Sequence, residues 1–342
     1  MIQTLKQHRI LFSLLTIFFG FMLVVGTVRV DYSFSAPGYN DNVDQFLTIE
    51  TDYNASGSFH TTSVIVMDKV SILQYFTGKM MAKVEIRDFP RGYEGIDLED
   101  LTVMGYLQKD DSLSTALIVA IENAGLDITY DSYDTVYLTY AHMTDNTLEV
   151  GDRIISVNNS TDYYEELTGT ACYDSAEIVI ERNDTNHTFT ITRNLVDQTN
   201  PEGTCSFGLY IDILSEIVES DVEYSITRTG TQGPSGGLLQ TLYIFNELTE
   251  FDYTNGLKIA GTGTIDVHGN VGYIGSMRQK IITAISNDID VFFAPHLNDE
   301  DYDNYIEALS VLEEFNTDMI VVGVSTFAEA VEFLENYGDT YE

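Results

Sequence analysis

Nineteen consecutive residues, Ile10 to Val28, carry no charged side chain. As a helix rising about 1.5 Å per residue, this run nearly matches the ~30 Å hydrocarbon core of a bilayer. It divides the chain into a short head, residues 1–9, and a long remainder that must fold on one side of a membrane. Lys6 and Arg9 precede the run, Arg29 follows it, and the rest is strongly acidic. The positive-inside preference therefore expects residues 1–9 in the cytoplasm, 10–28 as a transmembrane signal anchor, and the bulk outside the cell membrane. A cleaved signal peptide is the competing reading, with Ser33-Phe34-Ser35-Ala36 as the small-residue site. The run is longer than the roughly 7–15 residues of a signal core, however, and Phe34 fits a cleavage site poorly.

The 342 residues leave room for about two domains of ordinary size. Sixteen basic residues face 54 acidic ones, a formal charge of −38. Nucleic acid is therefore not an expected partner, and no basic patch outside the first residues suggests attraction to anionic lipid. Such a surface suits salty water, where charges are screened, and plain solubility equally well. The two cysteines, Cys172 and Cys205, would face an oxidising exterior; one bridge and two buried thiols both remain open. There is no His-Glu-x-x-His or Cys-x-x-Cys spacing, so neither a metal nor another cofactor is expected. No Gly-x-x-x-x-Gly-Lys-Ser/Thr loop occurs, which argues against ATP-driven action.

Patterning suggests an α+β chain in three parts beyond the anchor. Residues 29–125 open with a polar, turn-rich stalk (Ser35 to Asn42), followed by strand formers from Gly57 to Val66. A helix is expected from Asp111 to Ala124, capped by Asp111 or Ser112 and ended by Gly125. Residues 126–200 alternate short strands with turns, a small β-rich module. In residues 205–338, strands at Gly256 to Val267, Asp290 to Phe293 and Met319 to Val324 alternate with helices starting at Ser235, Ser276, Asp301 and Thr326. That order predicts one mixed sheet with helices packed on it.

The chemistry concentrates in this last part. Ser235 lies in Gly233-Pro234-Ser235-Gly236-Gly237, immediately before an apolar helical pattern (Leu238, Leu239, Leu242, Phe245). A hydroxyl at a helix start sits among unpaired N–H groups that could hold an oxyanion. Lys280 follows a glycine turn, Gly272 to Gly275, and precedes Ile281, Ile282, Ala284 and Ile285, so packed surroundings could desolvate its amine. The pair suits a serine nucleophile with a lysine base. Two other readings stay open: a serine that merely caps a helix, and a Gly-x-Ser-x-Gly hydrolase with His268 or His296 as base.

Resemblances sharpen these readings. Leu148 to Asn158, with Gly151-Asp152 introducing a strand, looks like the signature of a PDZ domain. Residues 224–338 resemble the proteolytic domain of the Lon family: its Gly-Pro-Ser-Ala-Gly motif corresponds to Gly233 to Gly237. Its Ile-Gly-Gly-Leu-Lys-Glu-Lys motif corresponds to Ile274 to Lys280, and its Thr-Gly-Glu-Ile strand to the region of Gly261 to Ile265. The order of anchor, PDZ-like module and Lon-like domain resembles the YlbL-type membrane peptidases of Gram-positive bacteria. The resemblance implies an ATP-independent serine endopeptidase with Ser235 as nucleophile, Lys280 as base, Thr262 orienting the lysine, and Gly233, Pro234 and Gly236 supporting the loop. It implies exported or membrane-anchored polypeptides as substrates, and it is compatible with a homo-oligomer. A catalytically inactive scaffold that gathers membrane proteins, and a peptidase that only releases its own ectodomain, are the alternatives. Three positions depart from the family pattern: Gly236 replaces Ala, Ser276 replaces Gly, and Gln232 stands where an acidic residue is frequent.

Overall fold

The computed structural model describes residues 8–89, 96–140, 147–168, 172–196, 203–299, 302–315 and 317–341. Residues 1–7, including Lys6, and Asp301 lie outside them. In chain order the elements are α1 (Arg9–Thr27), β1 (Tyr32–Asn42), β2 (Leu47–Ile49), β3 (Ser58–Met67), α2 (Ile72–Lys79), β4 (Glu85–Asp88), α3 (Leu98–Asn123) and β5 (Ile128–Thr139). There follow β6 (Arg153–Val157), α4 (Tyr164–Thr168), β7 (Ser175–Arg182), β8 (Thr185–Thr192), β9 (Asn194–Leu195), β10 (Cys205–Ser206), β11 (Leu209–Ser220) and β12 (Tyr224–Ile226). The last part comprises α5 (Gly237–Thr249), β13 (Lys258–Gly261), β14 (Thr264–Ile265), β15 (Val271–Gly272), α6 (Met277–Ser286), β16 (Val291–Pro295), α7 (Asn304–Leu312), β17 (Ile320–Val324) and α8 (Phe327–Tyr341).

Helix α1 buries none of its side chains, and it is long and apolar enough to cross a membrane. The main sheet has the order β17-β16-β13-β3-β1-β4. Its first four strands are parallel; β1 runs antiparallel to β3, and β4 antiparallel to β1. Every residue of β16 is buried, as expected of a central strand covered on both faces. Alternation along that strand divides the core in two. Val291 and Phe293 join Ile259 against Leu238, Leu239 and Leu242 of α5 and Leu113 and Leu117 of α3. Phe292 and Ala294 point the other way, onto Ile281 and Ile282 of α6 and Ala308 and Val311 of α7.

Two expectations for the N-terminal region are corrected. The segment from Ser35 to Asn42 is no stalk but most of β1, paired with β3 from Phe34↔Met67 to Asn42↔His60. Its turn-forming residues fit because the register shifts between Pro37 and Asn40, a bulge in which Gly38 lies against the β3 backbone. A Cβ at Gly38 would lie 2.6 Å from the Ser63 carbonyl oxygen. The helix expected from Asp111 starts instead at Leu98, capped by the Asp97 carboxylate, which accepts from Glu99 N at 2.9 Å. Asp111 and Ser112 are mid-helix and used for tertiary contact: Ser215 N donates to Asp111 Oδ1 at 2.8 Å, and Ser112 Oγ donates to Pro234 O at 3.0 Å. Gly125, in left-handed conformation at φ +74°, follows the helix end.

The β-rich module is an antiparallel sheet of order β11-β5-β6-β7-β8 around Val136, Ile154, Val157, Ile178, Ile180 and Phe207. Its last strand corrects the boundary expected at residue 205, because β11 pairs with β5 from Leu209↔Thr139 to Ser220↔Ile128. The module therefore spans 128–220, and its entry and exit are adjacent. It is inserted into a larger domain made of both flanking segments, which β2 and β12 also tie together. Cys172 and Cys205 form a disulfide across a separation of 33 residues. Closing a loop of that size is worth about 3–4 kcal/mol in the chain-entropy treatment. Asp152, 2% exposed, is held by the Arg182 guanidinium at 2.6 Å.

Because Gly38 meets backbone atoms of β3, Gly38→Val should destabilise the fold by about 1–3 kcal/mol. Calorimetry of the detergent-solubilised chain should show a thermal midpoint several degrees lower, whereas an unpaired stalk would leave it unchanged.

Candidate active site

The loop before α5 is held from two sides. Gly233, at φ +85°, turns the chain, and its N–H donates to Gly105 O of α3 at 2.8 Å. Ser112 of the same helix donates to Pro234 O. From the sheet side, Gly263 N and Thr262 Oγ1 donate to Ser235 O at 2.9 and 3.0 Å. The backbone of this loop is thus held by α3 and by the two residues that follow β13. The backbone N–H groups of Ser235 and Gly236 donate to no backbone acceptor among the described residues, leaving two donors beside the Ser235 hydroxyl.

Lys280 stands in the first turn of α6. Its Nζ lies 2.6 Å from Ser235 Oγ and 2.8 Å from Thr262 Oγ1. Thr262 uses its hydroxyl proton on Ser235 O, so its oxygen accepts from the amine. A neutral amine held that way keeps its lone pair for the serine proton. Lys280 is 3% exposed, with Met277, Ile281 and Thr262 buried around it. Burial, with a smaller contribution from the positive charge of Lys109, lowers its pKa from the ordinary lysine value to about 7. Local desolvation thus outweighs the chain's excess of carboxylates.

The groups open into a cleft of about 510 Å³ lined by β3 (Thr61 to Val64, Val66), α3 (Gln108, Lys109), the loop from Thr231 to Gly236, Thr264, and the turn from Tyr273 to Ser276. The structure brings Ser235, Lys280, Thr262, Gly233, Pro234 and Gly236 to one place. His268 and His296 do not line it: His268 sits beside Asp266 in the β14–β15 turn, and His296 Nδ1 lies 3.0 Å from Asp303. The departures from the family pattern also have places. A Cβ at Gly236 would meet Gln240 Nε2 at 2.9 Å and Thr61 Cγ2 at 3.0 Å, so a methyl here would crowd β3. Gln232 rests on Gly105, where a Cβ would lie 2.7 Å from its Oε1. Ser276 caps α6 at φ +58°, a conformation that favours glycine.

Lys109 is the residue that the sequence reading missed. Its ammonium lies 4.5 Å from the centroid of the Phe46 ring, and burial lowers its own pKa. Gly105, Lys109 and Ser112 recur at i, i+4 and i+7 on one face of α3, the face that holds the serine loop. That stripe was legible, but its partner was not.

Residues 222–333 match the Lon protease (S16) C-terminal proteolytic domain. The chain therefore carries a serine-peptidase domain of the Lon type, beside an α+β architecture with one apolar N-terminal helix. Among solved structures it is similar to the PDZ domain of an SdrC-like protein from Listeria monocytogenes, at 18% identity over 25% of this chain and 93% of that one, TM-score 0.19. It is also similar to the second domain of another Listeria protein, at 18% identity over 26% and 88% of the two chains, TM-score 0.18. No curated protein matches the chain.

With Lys280 as the base, the amine has to be neutral to accept a proton, and kcat/KM should rise with pH through about 7 and then level. Lys109→Gln removes a charge that favours the neutral amine, so a pH–rate profile should show the midpoint displaced upward. Ser276→Gly relieves a left-handed L-residue and should raise the thermal midpoint by an amount corresponding to about 1 kcal/mol without loss of turnover.

Proposed function

We propose that this protein is an ATP-independent serine endopeptidase, anchored by α1, that cleaves exported or membrane-anchored polypeptides outside the cytoplasmic membrane. One observation carries the reading: a lysine amine, 3% exposed, 2.6 Å from a serine hydroxyl at the floor of a cleft. Neutral Lys280 takes the proton of Ser235 as Oγ attacks the peptide carbonyl. The amides of Ser235 and Gly236 are the donors for the resulting oxyanion. Lys280 then passes its proton to the leaving amine, and the acyl-enzyme is released by water that the same amine activates. Thr262 acts by orienting the amine. The charge asymmetry around α1, with Lys6 and Arg9 before it and, after it, nearly all the acidic excess of a chain of net −38, supports the outward topology.

The inserted module is assigned a recruiting role. A second cleft, of about 430 Å³, lies between α4 and β11 and is lined by Tyr163, Tyr164, Leu167, Phe207, Leu209 and Ile211. Among the described residues, strand β11 is an edge of its sheet, paired on one side only, which suits addition of an extended substrate strand.

Active-site labelling of the purified chain with a fluorophosphonate should modify the wild type and not Ser235→Ala. Lys280→Arg should lose labelling and peptidase activity together, because a guanidinium keeps volume and charge but cannot accept the serine proton. An unlabelled, inactive wild type would favour the scaffold reading. Near-normal turnover by Lys280→Arg would refute the lysine base.

A further inference from the structure

The chain passes from α1 into the catalytic domain with no slack. Ile72 N donates to Val28 O at 3.1 Å, Val30 N to Val70 O at 2.9 Å, and Val70 N to Tyr32 O at 3.0 Å. Residues 28–32 are thus laid along 70–72, and α2 begins beside the place where α1 ends. Arg29 Nη1 donates to Gln74 Oε1 at 3.2 Å, and a capping box of Ser71 and Gln74 holds the first turn of α2.

Helix α2 has one covered face and one bare one. Gly78 is buried, and a Cβ there would lie 2.8 Å from Ile86 Cδ1 and 3.4 Å from Phe34 Cδ2, so that side rests on β4 and β1. Leu73, Phe76 and Met80 recur at i, i+3 and i+7 on the opposite side, 41, 62 and 86% exposed, and Met81 follows at 55%. The charge of the α2 segment itself is unlike the chain's average, with the carboxylates Asp68, Glu85 and Asp88 standing only at its ends. Residues 69–84 carry Lys69, Lys79 and Lys83, all exposed, and no carboxylate, within a chain of net charge −38. The chain-wide balance, which gave no reason to expect affinity for anionic lipid, averages this segment away.

We propose that α2 is a second membrane contact. It rests on the reading of α1 as a membrane anchor. The Leu73–Phe76–Met80–Met81 face lies in the headgroup–acyl boundary of the leaflet from which Arg29 emerges, and the three lysines lie among anionic headgroups. Two observations select a lipid surface as the occupant: the face adjoins the end of an apolar helix long enough to span, and its segment is basic within a chain of net charge −38. The consequence concerns the substrate. Val66 lines the catalytic cleft, and four peptide steps to Val70 span at most about 14 Å. Val70 in turn bonds Val30, one strand spacing of about 5 Å away. The cleft wall is therefore held within about 20 Å of Val30, two residues past the C-cap of the anchor, so the enzyme cuts polypeptide segments that lie close to the bilayer.

The chain contains no tryptophan, so one introduced by substitution reports alone. Full-length Phe76→Trp and Phe19→Trp chains would be placed in vesicles of phosphatidylcholine and phosphatidylglycerol, with and without acyl-chain bromine. Both should be quenched by the brominated lipid, Phe76→Trp by about twofold or more, with a blue-shifted emission. Adding Lys69→Glu, Lys79→Glu and Lys83→Glu to Phe76→Trp should remove most of that quenching. Quenching of Phe19→Trp with none of Phe76→Trp would overturn the proposal while sparing the anchor. Absence of quenching in both would overturn the anchor reading and the proposal together. Full quenching despite the three glutamates would refute the role of the lysines.

Discussion

A lysine can serve as a base near neutral pH only if its charged form is made costly, and in this chain that must happen against the field of 54 carboxylates. The structure meets the requirement by walling off the amine of Lys280. Thr262 is the keystone of the wall: its N–H donates to Phe293 O at 3.0 Å, and its hydroxyl joins Ser235 O to the lysine. Central strand β16, the serine loop and helix α6 are thereby locked into one geometry. Loosening any of them would admit water to the amine and restore its proton.

Part of this enclosure comes from outside the Lon-type match. Strand β3 supplies one wall of the cleft, and α3 supplies Gln108, Lys109 and the two contacts that hold the serine loop at Gly105 and Ser112. Both precede the inserted module. Pairing of its terminal strands, Ile128 with Ser220, lets the module enter and leave the larger domain at one point. Insertion leaves the catalytic sheet uninterrupted, while the sheet still depends on segments some two hundred residues apart, as where β3 pairs with β13.

What could be read from the sequence depended on how local the signal was. The Ser235 loop and the start of α6 at Met277 were legible because glycine and proline punctuation beside an apolar helical run is a short-range pattern. Strand β16 was legible because a strand buried on both faces is apolar throughout. Strand β1 was not, since its Ser, Pro, Gly and Asn resemble a loop until β3 and α6 pack on either side; Gly38 N, for instance, donates to Thr283 Oγ1 of α6 at 3.2 Å. The early start of α3 was hidden for a related reason, since Asp111 and Ser112 look like caps but bond to β11 and to the serine loop.

The sequence by itself determined the kinds of element present: an apolar helix long enough to span, a β-rich module, and a serine and a lysine each set at a helix start. These follow from composition and spacing within some twenty residues, where backbone geometry leaves few choices. Only the tertiary structure decided that residues 32–88 complete the catalytic sheet, that Cys172 joins Cys205, and that Lys109 stands in the cleft. It also decided that the amine of Lys280 is dry enough for its pKa to fall to about 7. Each of these depends on which distant surfaces exclude water together, and no local pattern encodes the partner of a surface.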